Sequence, residues 1–182
     1  MSGDHRSARA GAEAFLAEAD GLPGYAAFAR RMIGFLKYLQ GDFAGARADL
    51  KQALADYDGR RDESLQTLFA LDLRSNALAI LGQVTWYLGD PQEAERLTDE
   101  ALRRAKVSGQ PGSYAIALYN RLVFGSLTGL AEGVLPAVEE LRALAAQHDL
   151  NFHRAIASTY GDWARTRLGQ PCADELRAGL GA

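Results

Sequence analysis

The chain has 182 residues, a formal net charge of −3, 48% hydrophobic residues and one cysteine. That length suits one domain able to bury a large share of its surface, and the hydrophobic content excludes a disordered chain. The acidic balance, with no basic tail or stripe, excludes nucleic acid as the main partner; the lone Cys172 excludes an internal disulfide and fits a reducing compartment; and no apolar run reaches the roughly 18 residues of a membrane span.

Alanine and leucine are abundant and the β-branched residues few, which points to an all-α protein. The N-terminal stretch MSGDHRSARAGAEAF lacks the apolar core of a signal peptide, so the expected location is the cytoplasm, with no membrane partner. Gly and Pro then divide the chain into helices. The first is expected over about 7–19, closed by GLPG at 21–24, the second over 25–40 and the third over 43–57. DGRRDES at 58–64 is a polar break, with a short helix after it. A helix over 74–88 follows, then one opened by Pro91, where a first-turn proline costs nothing, and closed near SGQPG at 108–112. Further helices are expected over 113–127, 131–147, 152–168 and 171–180, about nine in all. Pro136 should kink its helix or mark the true start. Short loops make consecutive helices antiparallel neighbours.

The segments repeat. GDFAGARADLKQAL from Gly41 aligns with GDPQEAERLTDEAL from Gly89, so that Gly34, Gly41, Ala46, Ala53 and Leu54 fall on Gly82, Gly89, Ala94, Ala101 and Leu102, always 48 residues apart. Small residues at these points let two helix backbones approach closely, with Leu50 and Leu97 filling the seam. Neither pair buries its apolar stripe alone, so such units must stack. Weaker copies begin at Gly129, where Val134 and Leu141 replace the alanines, and at Gly169, with Gly161 and Ala173 each one residue off.

These small residues, the turn glycines and Phe43 resemble the tetratricopeptide repeat (TPR), although 48 residues exceed that family's period of about 34. The resemblance implies one TPR-like antiparallel helix-hairpin α-solenoid over 1–182, with its best repeats at about 25–57 and 74–107 and degenerate ones at about 113–147 and 152–180. Tyr57-Asp58, Asp72, Ala77, Leu78, Trp86-Tyr87-Leu88-Gly89, GDPQEA and ALAAQHDL are in turn similar to the helical region of large bacterial signalling proteins. Those carry an AAA-type ATPase core, often with a nucleotide cyclase or a LuxR-type DNA-binding domain. No GxxxxGK[ST] loop or cyclase module is visible here.

No catalytic constellation stands out, and the expected function is a non-catalytic protein- or peptide-binding scaffold without cofactor or metal. The alternative is a ligand- or peptide-sensing regulatory domain. Glu93 with Arg96 and Glu100 with Arg104 have the spacing of ion pairs on a wet helix face. His148 and His153 lack helical ligand spacing, and Cys172 makes a poor third zinc ligand. Ser126 and Ser158 have no GxSxG context. In the TPR arrangement the first helix of each pair lines a concave groove. The groove candidates are then Phe28, Arg31, Phe35 and Tyr38 in one unit, Asn76, Gln83 and Trp86 in the next, and Tyr119 and Trp163 in the degenerate units. Arg31, Asn76 and Gln83 are expected to face solvent. The partner is a protein or peptide in that groove, joined by a second copy of the chain packing on exposed solenoid ends.

Overall fold

The computed structural model describes residues 5–19, 21–61, 64–65, 68 and 71–170. Among these the protein is helical, without strands: α1 His5–Glu18, α2 Pro23–Leu39, α3 Phe43–Asp56, α4 Leu73–Tyr87, α5 Pro91–Val107, α6 Pro111–Thr128, α7 Ala131–Gln147 and α8 Asn151–Arg167. Eight helices therefore stand where about nine were expected; the ninth, at 171–180, and most of the short helix after 58–64 lie outside the described residues. No described helix is long and apolar enough to cross a membrane. The chain divides into two compact units, 1–117 and 118–182.

The GD turns explain the helix boundaries. Gly41 and Gly89 adopt φ of 81° and 87°, a left-handed conformation that glycine reaches without strain. The next residue closes the finished helix: Asp42 N–H donates to Lys37 O at 3.0 Å, and Asp90 N–H to Thr85 O at 3.2 Å. The same aspartates open the following helix. Asp42 Oδ1 accepts from Gly45 N–H at 2.9 Å, and Asp90 Oδ1 from Glu93 N–H at 3.1 Å, which satisfies N–H groups that a helix start leaves orphaned.

In the first unit α2 and α3 form an antiparallel hairpin. Residue 30 meets 56, residue 34 meets 50 and residue 37 meets 49, in the Arg30–Asp56 pair (3.3 Å), the Gly34–Leu50 approach and the Lys37–Asp49 pair (2.6 Å). α4 and α5 form the second hairpin, with Gly82 against Ala94 and Thr98, and Ser75 donating to Ala101 O at 2.9 Å. The small-residue reading holds in both: Ala46, Ala94 and Ala101 are fully buried, Ala53 nearly so, and Leu50 and Leu97 fill the seam. α4 packs on α2, α3 and α5, and every residue from Ser75 to Thr85 is buried. A helix covered all round is a core element.

In the second unit α7 and α8 pack as a pair joined by the short turn at 148–150, with Glu139 near Arg165 (3.4 Å) and Val138 near Gly161. The valine that replaced an alanine at 134 is matched by a glycine on its partner: a Cβ on Gly125 would collide with Val134. Pro136 neither starts nor ends α7, which runs from Ala131 through it. At the helix's sixth residue it forfeits one bond, to the carbonyl of Glu132, and both residues are exposed to water.

Candidate functional site

Two hydrogen bonds join α2 to α4. Arg31 Nε–H donates to Asn76 Oδ1 at 2.6 Å, and Tyr38 O–H donates to Gln83 Oε1 at 2.8 Å. Each spans 45 residues of sequence, so the residue numbers rise together and the first helices of the two hairpins run parallel. The rungs lie seven residues apart on each helix, about two turns, which places them on one side. Arg31, Phe35, Tyr38, Asn76 and Gln83, deduced separately as groove positions, are thus brought together.

Their exposure differs from the expectation. Asn76 and Gln83 are 6% and 3% exposed and do not face solvent, because α4 is covered on every side. A buried amide needs hydrogen-bond partners, and here Arg31 and Tyr38 supply them. Arg31, Phe35, Tyr38 and Trp86 are half-buried, so the residues able to touch a partner lie mainly on α2.

Arg31 stands in neutral surroundings. Beyond Asn76, its Nη1–H donates to Met32 Sδ at 2.9 Å, and the Phe35 ring lies 5.6 Å from its Cζ. Burial alone lowers the guanidinium pKa to about 10, since the charged form has lost water. Aromatic packing continues along the helix. Phe35 stacks on Tyr38 at 6.4 Å, Tyr38 stands 6.2 Å from both Phe43 and Tyr87, and Phe43 and Tyr87 lie parallel at 4.4 Å. A shallow cleft of about 280 Å³ is lined by Tyr38, Leu39, Gly41, Phe43 and Tyr87. Phe43 and Tyr87 were not read as site residues; Phe43 stands two residues after Gly41 and Tyr87 two before Gly89, and their meeting shows only when the hairpins are stacked.

The remaining candidates lie apart from this group. Phe28 packs on the small cluster of Ala27, Tyr57 and Leu73 and meets Phe15 of α1 edge-on at 6.2 Å. Tyr119 meets Tyr160 edge-on at 6.3 Å within the second unit, and burial raises the Tyr160 pKa. Trp163 is half-buried on α8.

A second polar cluster forms where α4 begins. Asp72, 2% exposed, accepts from Ser75 N–H at 3.1 Å, and its own N–H donates to Ser113 Oγ at 2.8 Å. Arg104 Nε lies 3.6 Å from Asp72 Oδ2. Asp72, Glu100, Arg103, Arg104, Val107 and Ser108 line an open cleft of about 420 Å³. The expected Glu100–Arg104 pair is therefore replaced: Arg104 turns to the buried Asp72, and Glu100 pairs with Arg96 at 3.0 Å. Glu93 pairs with Arg96 as its spacing suggested, at 2.7 Å, and that hydrogen bond lowers the Glu93 pKa. Both acids are half-exposed partners of the Arg96 cation.

Among the described residues no group of three His, Cys, Asp or Glu side chains is placed to hold a metal ion; Cys172 lies outside them. No family model and no curated protein matches the chain.

Proposed function

We propose that the chain is a non-catalytic protein- or peptide-binding scaffold of tetratricopeptide type, a helix-hairpin α-solenoid. A partner segment would lie along α2 on Arg31, Phe35 and Tyr38 and reach Trp86, while the buried Asn76 and Gln83 hold the contact residues in position. The observation that carries this reading is the pair of lateral bonds, which fixes a cation and a tyrosine two turns apart between aromatic rings. Arg, Tyr and Trp are the side chains that most often dominate binding energy at interfaces, and a preset side chain loses less entropy on binding.

The test is selection of displayed 12-residue peptides on the full chain, followed by fluorescence anisotropy of an enriched peptide. Tyr38→Ala and Trp86→Ala should each weaken binding about tenfold or more. Unchanged affinity in both variants would refute the placement of the site, and failure to select any peptide would refute peptide binding.

The Asp72–Arg104 cleft favours a second reading, a regulatory domain that senses a small ligand. A metabolite there would raise the melting temperature with the logarithm of its concentration above Kd, and the rise would vanish in Arg103→Ala. A thermal-shift screen without any such compound would set this reading aside.

A further inference from the structure

The basic side chains of the first unit differ in what they meet. Arg30 and Lys37 turn from α2 toward α3, and each reaches an aspartate, Asp56 at 3.3 Å and Asp49 at 2.6 Å. Arg104 reaches Asp72. Arg31 turns toward α4 and meets only the Asn76 carbonyl, the Met32 sulfur and the Phe35 ring. Among the described residues no carboxylate lies against it. A guanidinium has five N–H donors. One is used on an amide oxygen and another on a thioether, a weak acceptor, and among the described residues Nη2 meets no acceptor.

A cation withdrawn from water without a counter-charge is costly to the folded protein, and burial has already drawn the Arg31 pKa down to about 10. A ligand that brings an anion recovers that cost at the moment of binding. The planar fork matches a carboxylate with two parallel hydrogen bonds. Asn76 occupies the Nε side and Phe35 underlies the plane, so the edge formed by the two terminal nitrogens is the one presented. Arg31 is half-buried, not sealed, and a side chain or chain end of a bound peptide can reach it.

We infer that Arg31 receives a carboxylate of the bound peptide and that Asn76 is its positioning residue. The inference rests on the peptide-binding reading and specifies the ligand's chemistry.

The experiment uses peptides selected on the full chain and compares each with its Asp→Asn or Glu→Gln version and its C-terminal amide. One of these neutralisations should weaken binding to the wild type about ten- to a hundredfold and change binding to Arg31→Gln little; which one does so identifies a side-chain or a terminal carboxylate. Glutamine keeps an N–H for Asn76, so the variant should fold. Arg31→Lys, which keeps the charge and loses the fork, should bind with intermediate affinity. Peptides that bind equally well after neutralisation would overturn the carboxylate inference and leave the peptide reading intact. If no peptide is selected, the peptide reading fails, and the Arg31 Nε–H resonance decides the anion site alone. A shift that saturates with sodium N-acetylglutamate but not with sodium chloride supports it, and no shift overturns it.

Discussion

Replacing Gly82 with alanine tests the close approach on which the second hairpin depends. A Cβ at 82 would lie 2.5 Å from Thr98 Oγ1 and 3.0 Å from the backbone oxygen of Ala94. Ordinary contact needs about 3.5 Å, so α5 must withdraw by roughly 1 Å, a gap that forfeits a quarter to a half of the dispersion energy along the seam. That seam is dense, with Ala94 and Ala101 fully buried and Leu97 at 5% exposure, so the cost belongs at the upper end of the about 1–3 kcal/mol for overpacking. Alanine gains about 1 kcal/mol over glycine as a helix former, leaving a net loss of about 2 kcal/mol. Gly11, interior to α1, is the control: nothing lies within 4 Å of its added Cβ, so Gly11→Ala should retain the gain of about 1 kcal/mol. Urea unfolding followed by circular dichroism reads both. Thr98→Ala removes the nearer obstacle, and in that background the Gly82→Ala penalty should shrink, a coupling visible in a double-mutant cycle. A Gly82→Ala protein as stable as the wild type would refute the close-approach account of the repeat.

Tyr38→Phe deletes the donor to a buried glutamine and should destabilise by about 1–2 kcal/mol in urea; no change would mean that the Tyr38–Gln83 bond holds nothing. Asp149 is the one described non-glycine residue with positive φ, at 54°. Asp149→Gly should therefore stabilise by about 0.5–1 kcal/mol, and a lower urea midpoint would contradict this. Burial lowers the His153 pKa, so the imidazole takes up a proton less readily in the folded state. Its contribution is complete above the unfolded pKa of about 6.5 and is lost as pH falls through the folded value. The urea midpoint should drop between pH 7 and 5 less steeply in His153→Gln than in the wild type; identical slopes would exclude His153 as a source.

Much of the first unit was legible in sequence because its rules are local. A glycine that ends one helix and an aspartate that caps the next are adjacent in the chain, so Gly41-Asp42 and Gly89-Asp90 mark their turns without tertiary information. Alanines spaced seven apart mark a seam by helical period alone. The fate of Asn76 and Gln83 was not legible. A polar side chain at a given phase of a helix reads as solvent-facing, and the arrival of Arg31 and Tyr38 from 45 residues upstream helps make their burial tolerable. Arg104 misled for the same reason: the local pairing rule offers Glu100, but a carboxylate at the start of another helix is the one it meets. Gly125 escaped notice because its reason lies in the bulk of Val134.

The offset of the two lateral bonds fixes the order of the two hairpins. Equivalent positions of the two hairpins lie 48 residues apart, yet the residues that touch lie 45 apart, a stagger of three residues or about 4.5 Å of helix rise. The bonds therefore join unlike positions. The counterparts of Arg31 and Tyr38 in the second hairpin are Ala79 and Trp86, and those of Asn76 and Gln83 in the first are Phe28 and Phe35. Exchanging the order of the hairpins would set Ala79 and Trp86 against Phe28 and Phe35, with neither bond possible. The pair therefore has a grammar: one hairpin can only precede, the other can only follow.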